Sequence, residues 1–211
     1  MTTAGMPLTK GMPTHSFQIT WDYRCPFARN AHEHVLDALE AGADWDVTFV
    51  PFSLGQVHVA EGDPDIWETP EKDSGLAALQ VGVAVRDLFP DQFRPVHRAL
   101  FALRHDESKA LNDRDLLAKV LTDHGVDSDT VFEYVDAGTA LSSVKAEHTA
   151  AASDHTVWGV PTFIAHGQAV FVRYMNRPAG NADLATSTIE RTLDLLAWPE
   201  LNEYKHTSIP R

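Results

Sequence analysis

A chain of 211 residues that is 44% apolar and 22% charged carries enough apolar side chains for one well-buried core, which excludes the disordered, collagenous and fibrous classes. Its 17 Lys and Arg against 30 Asp and Glu give a net charge of −13, a sign that repels phosphate backbones and anionic membrane surfaces, so neither nucleic acid nor membrane is expected as a partner. The single cysteine, Cys25, excludes every intramolecular disulfide and with it the disulfide-scaffolded secreted modules.

The first residues, MTTAGMPLTKGMPTH, hold one Lys and no continuous apolar run, so residues 1–14 are expected to form a flexible tail rather than a secretory signal. No stretch reaches the roughly 18 apolar residues of a membrane span, and a cytoplasmic protein with one reduced thiol is the expectation. Ser16 to Asp22 alternates Phe17, Ile19 and Trp21 with polar neighbours, the period of a strand. After Tyr23-Arg24-Cys25, Pro26 opens a helix that carries Ala28, Ala31, Val35, Leu36 and Leu39 and stops at Gly42. Trp45 to Leu54 reads as a second strand, with Pro51 marking an edge or a bulge.

The Pro-rich, acidic stretch from Glu61 to Lys72 is a loop, and beyond it the pattern is helical. Leu76, Leu79 and Val83 fit one helix, and Phe93, Val96, Leu100 and Leu103 a second. Leu116, Leu117, Val120 and Leu121 fit a third, capped by Asn112 or Asp113 and stopped by Gly125. Asp127 or Ser128 caps a fourth, and Ala140 to Ala152 is a run of helix formers. Strand chemistry returns in Val160 to Ala165 and Gln168 to Arg173, joined by His166-Gly167 as a hairpin. Ala182 to Ala197 is a last helix, ended by Pro199.

Cys25 falls where a strand gives way to a helix, so its sulfur is expected near the first-turn N–H groups and the positive end of the helix dipole, a position that favours thiolate, with Arg24 adding a positive neighbour. The plain alternative is a small buried hydrophobe. Cys25-Pro26-Phe27-Ala28 after a strand, with Gly159-Val160-Pro161-Thr162-Phe163 far downstream, resembles the DsbA-like branch of the thioredoxin superfamily. The resemblance implies an α/β thioredoxin-like fold in the order βαβ…ββα, with residues 15–63 and 157–200 forming the thioredoxin-like domain, an all-helical insertion over 64–156 and a tail over 201–211. It further implies that Cys25 is the catalytic nucleophile and that a cis Pro161 faces it. The N–H and C=O of Val160 would then pair with an extended substrate. Pro26, Ala28 and Thr162 complete the motifs, and Tyr23, Phe27 and Trp158 would gather around the thiol as an apolar floor for a thiol cofactor or aromatic substrate, with core packing as the alternative.

The second cysteine of a dithiol enzyme would stand at Ala28, which can neither attack nor resolve a mixed disulfide. The expectation is therefore monothiol exchange, with glutathione or mycothiol as co-substrate and a protein disulfide or a small aromatic electrophile as the other partner. Glutathione-linked transferases of the kappa type, hydroxychromene-carboxylate isomerases and the actinobacterial mycothiol-dependent nitroreductases resemble the chain as well. A non-catalytic binding module is a further alternative. No Gly-rich dinucleotide fingerprint is present, so no tightly bound nucleotide is expected. Of the 11 histidines, His32 and His34 diverge by about 200° on one helix and cannot share a metal, and no metal site is expected. A homodimer stays open, although a Cys25–Cys25 bridge would consume the nucleophile.

Overall fold

The computed structural model describes residues 13–202, so the expected tails lie outside the described residues apart from their innermost positions. Strand β1 (His15–Trp21) leads through a tight turn into helix α1 (Pro26–Glu40), and β2 (Trp45–Pro51) returns parallel to β1. The short α2 (Leu54–Val57) and two 3-10 turns, Ile66–Glu68 and Pro70–Lys72, precede helices α3 (Leu76–Leu88), α4 (Pro90–His105), α5 (Arg114–Asp123), α6 (Ser128–Asp136) and α7 (Thr139–His155). The chain closes with β3 (Thr162–Ala165), β4 (Gln168–Phe171) and α8 (Ala182–Leu196). The sheet has the order β2-β1-β3-β4, with β3 antiparallel to both of its neighbours. This is a thioredoxin-like α/β fold interrupted between β2 and β3 by helices.

The local chemistry explains most element ends. Asp113, Asp127 and Asn181 cap α5, α6 and α8 by accepting amide hydrogens with their side chains. His166 and Gly167, at φ 52° and 74°, form the hairpin turn, a left-handed pair that Gly accepts freely. Strand β2 is an edge strand, as Pro51 suggested, but it ends three residues before the expected Leu54. The reason is the buried Asp22 carboxylate, which accepts the Leu54 N–H at 2.8 Å and turns the chain into α2.

Helix α3 is the centre of the insertion and packs against α4, α6 and α7, while α8 packs on α1. Ile19, Val35, Leu36 and Phe163 are fully buried, and each such side chain contributes roughly 1.5–3 kcal/mol. Thr20, one of the polar neighbours in the alternation of β1, is also fully buried, because β1 is an inner strand covered on both faces. Among the described residues no helix is long and apolar enough to cross a membrane.

Candidate active site

Cys25 sits at the N-cap of α1, held by its own N–H on the Asp22 carbonyl at 3.0 Å. Pro26 occupies the first helical turn and needs no hydrogen-bond acceptor there, so the free amides that follow point at the sulfur. The Ala28 N–H donates to Sγ at 3.4 Å. From the other side the Cys25 thiol donates to the Val160 carbonyl at 3.3 Å, and Val160–Pro161 is a cis bond. Cys25 is only 9% exposed, so the thiol is largely shielded from solvent.

The loop carrying Val160 is held by Thr20. Its hydroxyl accepts the Thr162 N–H at 2.9 Å and donates to the Gly159 carbonyl at 3.4 Å, and the Thr162 hydroxyl donates to the same carbonyl at 2.8 Å. Val172 N–H donates to the Pro161 carbonyl at 3.0 Å, tying the loop to the end of β4.

The turn before Cys25 is fixed by charge. Asp22 accepts from the Arg24 backbone N–H at 2.9 Å and from its guanidinium at 2.6 Å, while Arg24 also donates to Asp73 at 2.9 Å. Two glycines make the space: a Cβ on Gly75 would lie 2.4 Å from the Arg24 Nε, and one on Gly55 1.9 Å from Asp73 Oδ2. Arg24 is thus neutralised by two carboxylates rather than turned toward the thiol.

This reverses the expected direction of the Cys25 titration. Burial pushes the thiol above its ordinary range, and the Asp22 charge adds to that push, against the opposing effects of the Ala28 and Phe27 amides and of Arg173. The helix terminus acts as expected, but desolvation exceeds it.

Tyr23 also departs from expectation. It is fully buried, packs against Phe101 at 4.8 Å between ring centres and turns its hydroxyl to His97 Nδ1 at 2.8 Å, so it belongs to the core and lines no accessible floor. From there a buried chain runs inward, with His97 Nε2 2.9 Å from His32 Nδ1 and His32 Nε2 3.1 Å from the Thr20 carbonyl. Its direction follows from the last link. A carbonyl only accepts, so His32 carries its proton on Nε2, His97 carries its own on Nε2, and the Tyr23 hydroxyl donates to His97. His34 turns the other way, toward the Asn176 carbonyl at 3.2 Å. The other two aromatics do reach the surface: Trp158 is 62% exposed and rests on Phe171 at 4.5 Å, and half-buried Phe27 lies under Arg173 at 5.2 Å.

Sequence reasoning missed Asp22, Asp73, Thr20, His97 and Arg173. Asp22 stands two residues before Arg24, the spacing of an Asx turn, and His97 shares a helical face with Phe93 and Phe101, so both left a readable trace.

Fold and site together define a thioredoxin-like protein with one thiol at the head of the first helix. The chain belongs to the DSBA-like thioredoxin domain family, which it matches over residues 18–177. Among solved structures it is similar to DsbA from Pseudomonas aeruginosa, with 18% identity over 91% of this chain and 90% of that one and a TM-score of 0.54. It is similar to the cytosolic disulfide reductase DsbM from Pseudomonas aeruginosa with GSH, with 14% identity, 85% and 99% coverage and a TM-score of 0.57. It also resembles a 2-hydroxychromene-2-carboxylate isomerase, with 14% identity, 87% and 100% coverage and a TM-score of 0.60. These likenesses carry the fold. No curated protein matches significantly by sequence.

Proposed function

We propose that this protein is a thiol-disulfide oxidoreductase that acts through Cys25 alone, with a low-molecular-weight thiol of the glutathione or mycothiol kind completing each cycle. The observation that carries the reading is the environment of the sulfur: it caps α1 beneath the Ala28 N–H and lies 3.3 Å from the Val160 carbonyl, beside an edge of backbone that an extended partner can pair with. The Cys25 thiolate attacks one sulfur of a disulfide, the S–S bond breaks, and the departing thiolate takes a proton from water. Cys25 is left in a mixed disulfide. Because Ala28 cannot resolve it, an external thiolate attacks the outer sulfur, forms a new disulfide and returns Cys25 as thiolate.

In the free protein the thiol donates to Val160, which favours its protonated form. A substrate N–H that takes the Val160 carbonyl removes that acceptor and releases the thiol for attack. Between substrates the nucleophile is therefore quiet, and its rate should follow the thiolate fraction. Reduction of hydroxyethyl disulfide, with glutathione or mycothiol supplied, is expected to climb about tenfold per pH unit from about pH 7 to about pH 8.5 and to be absent in Cys25→Ser. A plateau reached near neutral pH would contradict the raised thiol.

The buried, protonated sulfur favours one second reading, a binding module that keeps the backbone edge and has no turnover. Wild-type turnover equal to that of Cys25→Ser would overturn exchange and leave the binding module standing. Conjugation of an electrophilic aromatic, assayed beside it, separates exchange from transferase chemistry.

A further inference from the structure

The arginines around the site are mostly neutralised within the molecule. Arg24 is paired with Asp22 and Asp73, Arg29 with Glu33 and Asp106, and Arg177 with Glu33. Arg173 is different. Among the described residues it makes no ion pair, although the chain holds 30 acidic residues against 17 Lys and Arg. Its guanidinium instead lies over the ring of Phe27, 5.2 Å from the centre, two residues along α1 from the thiol. A guanidinium resting on an aromatic face keeps the N–H edges of its plane free, and those edges match a carboxylate in a bidentate pair.

The backbone fixes where this cation stands. Phe171 pairs with Thr162, and the Val172 N–H donates to the Pro161 carbonyl, so Arg173 is the next residue beyond the link between β4 and the loop that faces Cys25. Phe171 supports the exposed ring of Trp158, giving the same neighbourhood an accessible apolar surface. A thiol, an aromatic surface and an unpaired, exposed cation are thus grouped around one loop.

We propose that Arg173 is an anion anchor, and that among disulfides able to exchange with Cys25 it favours those carrying a carboxylate close to the S–S bond. The proposal deepens the exchange reading and rests on it. A net charge of −13 disfavours anions over the molecule as a whole, so a preference for an anionic partner at this thiol has to come from a local cation. Two disulfides of similar size test it: dithiobis(nitrobenzoate), which carries a carboxylate on each ring, and uncharged dithiodipyridine. In both, the Cys25 thiolate attacks one sulfur, the S–S bond breaks, one aromatic thiolate leaves, and the other half stays on Cys25 as a mixed disulfide.

The quantity to read is the ratio of the two rates, each divided by its rate with a free cysteine peptide. Any effect of Arg173 on the thiolate fraction cancels in this ratio. It is expected to favour the carboxylate probe in the wild type, to fall by about fivefold in Arg173→Gln and to be retained in part by Arg173→Lys. High salt should narrow the gap between the wild type and Arg173→Gln, since it screens the Arg173 attraction in the first and the repulsion of the net charge in both. An equal ratio in wild type and Arg173→Gln would overturn the anchor while leaving exchange standing. Failure of both probes to react with the wild type would overturn exchange itself.

Discussion

Asp22→Ala is expected to cost about 3–5 kcal/mol of stability, read as the shift of a urea unfolding curve. The Asp22 carboxylate is 1% exposed and receives the Arg24 backbone N–H, the Arg24 guanidinium and the Leu54 N–H. Removing it leaves a largely buried guanidinium with only the Asp73 carboxylate, and leaves the Leu54 amide without its partner at the start of α2. Three pieces of chain meet at this carboxylate: the turn before Cys25, the end of β2, and through Arg24 the segment before α3. Loss of the ion pair therefore loosens the joint between the sheet and the helical insertion. Asp22→Asn keeps an acceptor for one of the amides and should cost less. A cost below about 1 kcal/mol for Asp22→Ala, the range of an exposed ion pair, would contradict the buried arrangement.

Acid is expected to destabilise the protein well above the usual carboxylate range. Burial pushes His32 down to about 4, against the opposing effect of the Thr20 carbonyl, and pushes His97 well below its ordinary value, with the His32 and Arg98 charges adding to the fall. In the unfolded chain both titrate near 6.5, so between about pH 6.5 and about pH 4 the unfolded state binds more protons, and stability falls as pH falls. His32 alone gives a loss of about 2 kcal/mol between pH 7.5 and pH 5, and His97 adds to it. The structural reason is the direction of the buried chain. His97 Nδ1 has to accept from Tyr23 and His32 Nδ1 from His97, and a proton on either nitrogen breaks a link. Urea curves at the two pH values read the effect, and His97→Leu should be less stable at neutral pH yet lose less on acidification. Equal stability at both pH values would contradict the buried, neutral pair.

Most of the fold could be read from local patterns. The alternation of Phe17, Ile19 and Trp21, the caps at Asp113 and Asp127, and the His166-Gly167 turn each speak through neighbours in sequence, and each stands where the pattern placed it. The order of elements before and after the helices then pointed to the thioredoxin-like sheet. What could not be read depends on residues far apart in the chain. Tyr23 looked like a wall of the site because it stands two residues before Cys25, but His97, brought in by α4, draws its hydroxyl into the core. Arg24 looked like an activating charge because nothing local marks Asp73 as its partner. The expected direction of the Cys25 titration rested on the helix terminus and on Arg24: the terminus is visible in sequence, whereas burial under the Val160 loop is a property of the assembled molecule.

Thiol exchange through one sulfur is tested most directly by the intact mass of the protein after incubation with oxidised glutathione and with oxidised mycothiol. The expected result is a single adduct of the corresponding thiol on the wild type, absent from Cys25→Ser and removed by the free thiol, since Cys25 is the one cysteine in the chain. A wild-type mass unchanged by both oxidised thiols, at a pH where the Cys25 thiol is ionised, would contradict it.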